Sequence, residues 1–159
     1  MLSLVSSGQC GALLPVLYLA AVTVPLVWID VRQHRLPNAL VLPGYLVLLA
    51  AFAWVWLQTG WFPWLGLASA AGYFGVLYLL AWFGGMGMGD VKLAGVLGGA
   101  AGLVSLHVVV LSPVLAFVLA GLVSIVVWVV TRSMRTRIPF GPFMLAGFWI
   151  AVYLQLSGS

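Results

Sequence analysis

"VKLAGVLGGAAGLVSLHVVVLSPVLAFVLAGLVSIVVWVV", residues 91 to 130, is an apolar run whose one formal charge, Lys92, stands near its start. A helix of about 20 apolar residues crosses the hydrocarbon core of a bilayer. The run is about twice that length, so it is too long for one upright helix and must fold back. The turn is predicted near Gly102 to His107, with Ser112-Pro113 as the alternative. This reading makes the chain a six-span protein and not a five-span one. The other spans are predicted over Leu13–Ile29, Ala39–Leu57, Leu65–Phe83 and Phe140–Leu156. The fourth span is short if it turns at Gly102. It is then either shielded by protein or begins below the membrane surface.

Composition agrees. Hydrophobic residues make up 65% of the 159 and charged residues 5%, against about a quarter charged in soluble domains. The expected fold is all-α: a polytopic membrane protein of about six transmembrane helices, with residues 1–159 forming one membrane-embedded domain. No segment is polar or long enough for a separate soluble domain. The amino terminus has no Lys/Arg-rich stretch, so no cleaved signal peptide is expected. The single cysteine, Cys10, excludes an internal disulfide and a thiolate zinc cluster.

The charges orient the spans. Arg32, Arg35, Lys92, Arg132, Arg135 and Arg137 are the six basic residues. All fall in the connections after spans one, three and five. The opposite loops, including "QTGWFPW" and "SLH", carry none. By the positive-inside rule the basic side is cytoplasmic and both termini lie outside, in the inner membrane of the cell. Trp61, Phe62 and Trp64 then suit the outer interface. The arginines are a topology signal and a contact for anionic lipid headgroups; nothing argues for a nucleic-acid partner.

The two acidic residues of the chain are Asp30 and Asp90. Asp30 ends span one and Asp90 opens span four, so both sit at the same depth on the cytoplasmic face. Each has an ordinary local explanation. Asp30 in "IDVRQHRLPNALVLPG", residues 29 to 44, can be an exposed interfacial acid held by Arg32 or Arg35. Asp90 in "GGMGMGDVKLAG", residues 84 to 95, can be a helix N-cap with Lys92 as partner. Asn38, after Pro37, is likewise a good N-cap. Gly84, Gly85, Gly87 and Gly89 give Asp90 a backbone that can take positive φ and approach another chain closely. The interleaved pairs Gly95/Gly99 and Gly98/Gly102 allow close helix packing in lipid, with span one a candidate neighbour.

Taken together the two acids mean more. Ionisable residues at membrane depth are expensive and usually functional. Two carboxylates brought close cannot both ionise easily and share a proton. One can act as general base on water while the other polarises or protonates the scissile carbonyl. Such aspartic-protease chemistry needs no metal and no cofactor. His34 and His107 fall on opposite faces and cannot form one metal site.

Three motifs carry a resemblance. "GMGD" followed by "VKLAG" is similar to the Gly-x-Gly-Asp signature shared by presenilins and signal peptide peptidases. The wider match resembles the type IV prepilin peptidase family: Asp30 followed by Pro37-Asn38, then Gly87 to Leu93, then Ile138-Pro139-Phe140-Gly141-Pro142. It runs over roughly residues 20 to 147. The resemblance implies an endopeptidase that removes the short basic leader of prepilins, pilin-like subunits or preflagellins at the cytoplasmic membrane face. It implies Asp30 and Asp90 as the catalytic pair. It places Gly87, Gly89, Lys92, Pro37 and Asn38 at the loop or substrate contact. The amino-terminal region with paired Cys-x-x-Cys motifs found in large methylating members is missing, so peptidase activity without methyl transfer is expected. No role for Ile138 to Pro142 follows from the residues alone.

Two other classes compete. A transporter can use paired aspartates to relay protons or bind a cation, but a path favours acids nearer the bilayer centre with polar residues on both sides, and the outer half of this chain has few. A silent scaffold for pilins does not need both acids.

Overall fold

The computed structural model describes residues 7–33, 36–83, 87–132 and 139–158, with backbone alone for 7–10 and 131. Its elements are α1 (Ser7–Gln33), α2 (Asn38–Thr59), α3 (Trp64–Trp82), α4 (Met88–Val104), α5 (Leu106–Thr131) and α6 (Gly141–Ser157). Helices satisfy every backbone group within the segment, which the hydrocarbon interior demands. The predicted spans agree within a few residues, except that α1 begins six residues before Leu13. His34, Arg35, Gly84, Gly85, Arg135, Arg137 and Ile138 lie outside the described residues.

The long apolar run folds back at Ser105, inside the predicted window. Ser105 is extended, at φ −172° and ψ 161°, between α4 and α5. Its Oγ accepts from the Val108 N–H at 3.2 Å and caps α5. It also donates to Gln155 Oε1 at 3.0 Å, tying the turn to the end of α6. Ser112-Pro113, the alternative turn, lies inside α5.

Four helices are long and apolar enough to cross a membrane: α1, α2, α3 and α5. Many of their large apolar side chains, such as Leu17, Leu46, Leu57, Leu79 and Val126, are exposed. In a bilayer that surface meets lipid. The chain is thus an all-helical, multi-pass membrane protein. Phe62 packs against Trp64 and Trp56, with ring centroids 4.7 and 6.0 Å apart, while Trp61 stays exposed.

The α4 helix is different. It has 17 residues, about 26 Å at 1.5 Å per residue. Val91 and every residue from Leu93 to Ala101 are buried. Protein, not lipid, sheathes it, which is how a short helix with Lys92 in its first turns is accommodated. One apolar cluster draws side chains from all six helices around it, including Leu26, Leu48, Leu77, Leu97, Val108 and Phe148.

The glycines of α4 meet neighbours other than the expected span one. Gly95 and Gly99 face Tyr45 and Leu48 of α2, while Gly98 and Gly102 face Ser69, Tyr73 and Gly66 of α3. A Cβ on Gly102 would stand 2.6 Å from Gly66 Cα, and one on Gly99 2.7 Å from Leu48 Cδ1. The two small-residue pairs therefore serve two partners, and Ser69 Oγ completes the α3 contact by donating to Gly98 O at 2.7 Å. A helix apolar on every face does not reveal in its sequence which side meets which neighbour.

Candidate active site

Three helix ends converge where the charges are. Tyr18 of α1 donates to Leu40 O at 2.6 Å, and Tyr45 of α2 donates to Lys92 O at 2.7 Å. These bonds tie the middle of α1 to the start of α2, and α2 in turn to the start of α4. Asp30 and Asp90 both line a cavity of about 260 Å³ at the rim formed by the three helix ends. The α2 side contributes Leu36 and Asn38, and the α4 side contributes Gly87 to Asp90 together with Lys92.

Asp30 lies in the last turn of α1 and is 4% exposed. Asp30 is therefore not the exposed interfacial acid of its ordinary explanation. The described arginine of that pair, Arg32, lies over the Trp28 ring at 4.0 Å. Asp30 Oδ2 accepts the Gly141 N–H at 3.2 Å. A side chain at Gly141 would press on this carboxylate, because a Cβ would stand 2.6 Å from Asp30 Oδ2.

Asp90 is the third residue of α4; the N-cap is Gly87, so the N-cap reading of Asp90 is also incorrect. One carboxylate oxygen, Oδ1, is buried and accepts no hydrogen bond among the described residues. A buried orphan acceptor is costly and calls for a reason. Asp90 precedes the apolar span that starts at Val91. Burial holds its carboxyl above the usual carboxylate range; the like charge of Asp30 pushes the same way, and a backbone hydrogen bond from Gly87 opposes both. The two acids thus line one cavity, and the charge of Asp30 adds to burial in raising Asp90.

The remaining residues fall into place less uniformly. Asn38 is the first residue of α2, not its N-cap. Pro37 holds the cap position in extended geometry, and its carbonyl accepts from Leu40 and Val41 at 3.1 and 3.3 Å. The Asn38 side chain is instead engaged by Lys92, whose Nζ donates to Oδ1 at 3.0 Å. Lys92 was expected to partner Asp90. Three residues separate facing groups on a helix surface and two do not, so Lys92 projects to the α2 side.

Gly87 and Gly89 do not use the positive φ expected of them. Gly87 is extended, at φ −74° and ψ 144°, and Gly60 is the one glycine at positive φ among the described residues. Gly89 is needed for close approach: a Cβ there would stand 2.8 Å from Leu36 Cβ. At Gly87 a Cβ would make ordinary contact with Asp90 Oδ2 at 3.4 Å. Among the described residues no group of three His, Cys, Asp or Glu side chains comes together. Sequence reasoning missed Leu36 and Gly141. The signal for Gly141 was its place at a helix entrance, where the first N–H groups have no intrahelical partner.

Comparison with known proteins agrees with the motifs. A family model for the type IV leader peptidase family matches residues 17–130. A prepilin leader peptidase/N-methyltransferase of Pseudomonas putida is 34% identical over 168 residues, covering 96% of this chain and 54% of the relative. A protein of the same description from Burkholderia pseudomallei strain 1026b is 32% identical over 166 residues, covering 95% and 52%. The chain spans about half the length of these curated relatives. No solved structure matches it. With the family model matched over residues 17–130 and these relatives matched over nearly its whole length, the chain belongs to the type IV leader peptidase family.

Proposed function

We propose that this chain is an aspartic endopeptidase that removes the leader from a prepilin, a pilin-like subunit or a preflagellin at the cytoplasmic face of the membrane. The observation that carries the reading is the meeting of the chain's two acids at one cavity, at the helix ends that bear Arg32 and Lys92. In this reading one carboxylate takes a proton from water as it attacks the peptide carbonyl. The other, protonated, gives its proton to the carbonyl oxygen or the leaving amine. The substrate's apolar helix stays in the bilayer while its leader junction reaches the rim. Gly87 and Gly89 keep that rim low, and the Lys92–Asn38 pair borders it. The basic connections hold this face at the anionic leaflet, with both chain termini on the other side.

Family membership supports peptide cleavage over a transporter. The architecture argues the same way: beyond the rim, α4 continues as the apolar, buried run Leu93–Ala101 and offers no ladder of polar groups for a proton. The test is the purified chain in proteoliposomes with a leader-bearing pilin-type substrate. The expected result is loss of the leader at a single bond. Proton or cation flux with no cleavage would overturn the proposal.

A further inference from the structure

The α6 entrance ends its helix in an unusual way. The N-cap position is held by Phe140, whose side chain offers no oxygen to cap with. A helix start leaves its first backbone N–H groups without intrahelical partners. Here they can be accounted for one by one. Pro142 has no N–H. The Phe143 and Met144 N–H groups reach Phe140 O at 3.1 and 3.2 Å. The donor left over is the Gly141 N–H, and it donates to Asp30 Oδ2, 111 residues earlier in the chain. Asp30 thus caps a helix that does not cap itself.

A side chain at position 141 would have to push the Asp30 carboxylate aside. Gly141 is buried, and a Cβ there would collide with the very oxygen that the N–H holds. Two separate features of one residue, a donor with no local partner and the lack of a side chain, therefore serve the same carboxylate. The positive end of the α6 dipole favours negative charge at that place and opposes the negative end of α1, in whose last turn Asp30 sits.

We propose that Gly141 is a positioning residue for the dyad: its N–H fixes the Asp30 carboxylate in its ionised form and orientation, making Asp30 the general base and Asp90 the acid. This rests on the proposed cleavage function and deepens it. The division of labour follows from unequal surroundings. Asp30 Oδ2 receives a backbone donor that strengthens with negative charge. Asp90 also takes a backbone donor, from Gly87, but its other oxygen, Oδ1, is buried with no donor among the described residues. The charged groups lining the cavity among the described residues are Asp30 of α1 and Asp90 and Lys92 of α4, and Lys92 Nζ is turned to Asn38. The step balances simply. Water loses a proton to Asp30 as its oxygen bonds to the carbonyl carbon, and the Asp90 proton passes to the carbonyl oxygen. Breaking the C–N bond then sends the proton on Asp30 to the amine, while a hydroxyl of the diol returns a proton to Asp90 as the carboxylic acid product forms.

The experiment compares Gly141→Ala with Gly147→Ala in the purified full chain, reading cleavage against pH. Gly147 lies on the same helix, where a Cβ would stand 2.6 Å from Ser112 O and 2.7 Å from Ala116 N, so it perturbs α6 packing away from the dyad. Gly141→Ala is expected to lower kcat roughly ten- to a hundredfold, part of what acid–base catalysis contributes, with KM near wild type. Its acid limb should move to higher pH by about one unit, the equivalent of one charge-assisted hydrogen bond. Gly147→Ala should lower thermal stability and leave the acid limb where it is. An acid limb unmoved in Gly141→Ala, or moved equally by both variants, overturns the inference. If Gly141→Ala does not fold, carboxyl infrared titration of the two asparagine variants decides. Asp30 read in Asp90→Asn should ionise at lower pH than Asp90 read in Asp30→Asn, and the reverse order or equal values overturn the inference. Cleavage that needs both aspartates but ignores Gly141 sinks this inference alone. Cleavage that persists in Asp30→Asn or Asp90→Asn sinks the function beneath it.

Discussion

At the scale of single residues, the glycines at the start of α4 divide by what stands next to them. A valine at position 89 must displace Leu36, since even its Cβ would lie 2.8 Å from Leu36 Cβ. Gly89→Val is therefore expected to cost about 1–3 kcal/mol of stability through overpacking and to lose cleavage. Gly87→Val has only an ordinary contact at 3.4 Å to absorb, and should be clearly milder in both thermal melting and cleavage. Equal damage from the two would mean that the Leu36 contact is not the reason for Gly89. Asp90 carries a second prediction. Its carboxyl is raised in the folded chain, first by burial and then by Asp30. A raised acid favours folding while protonated, and that contribution is lost as pH rises from the ordinary carboxylate range through the raised one. Asp90→Asn should thus melt above wild type at neutral pH, with the gap closing as pH falls below the carboxylate range. A gap independent of pH contradicts the burial of Asp90. From the residues, the pairing of Asp30 with Asp90 could be argued, because they are the chain's two acids. The direction in which Asn38 and Lys92 point could not, because polar side chains near a helix start have several partners within reach.

Among the elements, α4 is the one that lipid does not touch, and its glycines work as a two-sided seam. Gly102→Val should lower stability by about 1–3 kcal/mol, the usual cost of overpacking, because Gly66 of α3 stands where its side chain must go. Gly121→Val on α5 has open space around it and should change thermal melting little. The opposite ranking would mean that α4 does not pack on α3 as described. Helix positions were legible in the sequence because hydropathy and chain length are strong signals in a bilayer. So was the reversal near Ser105, because forty apolar residues exceed one crossing. The neighbours of α4 were not legible. It is apolar on every face, so no stripe marks which side meets which helix, and span one, which also touches α4, was named for the glycine contacts that α2 and α3 make. The α6 cap was illegible for a related reason: Phe140-Gly141-Pro142 shows an unsatisfied donor but not the acid from another helix that receives it.

For the whole molecule, the alternation of charge predicts sidedness. A single cysteine at Gln58 should react with an impermeant thiol reagent added outside, and one at Arg132 should not; labelling at Arg132 from outside breaks the topology. Cleavage should also survive strong chelation and omission of S-adenosylmethionine, since the proposed chemistry uses carboxylates and water. Loss on chelation, restored by zinc, would replace the mechanism with a metal-dependent one. This second prediction depends on the more basic claim that Asp30 and Asp90 act as one unit. The most direct measurement is leader cleavage by purified, folded Asp30→Asn and Asp90→Asn in lipid beside the wild type. Asparagine nearly preserves shape but can be neither the base nor the acid. The account predicts that each variant binds the substrate and cuts it at no detectable rate. Cutting near the wild-type rate by either variant would contradict it.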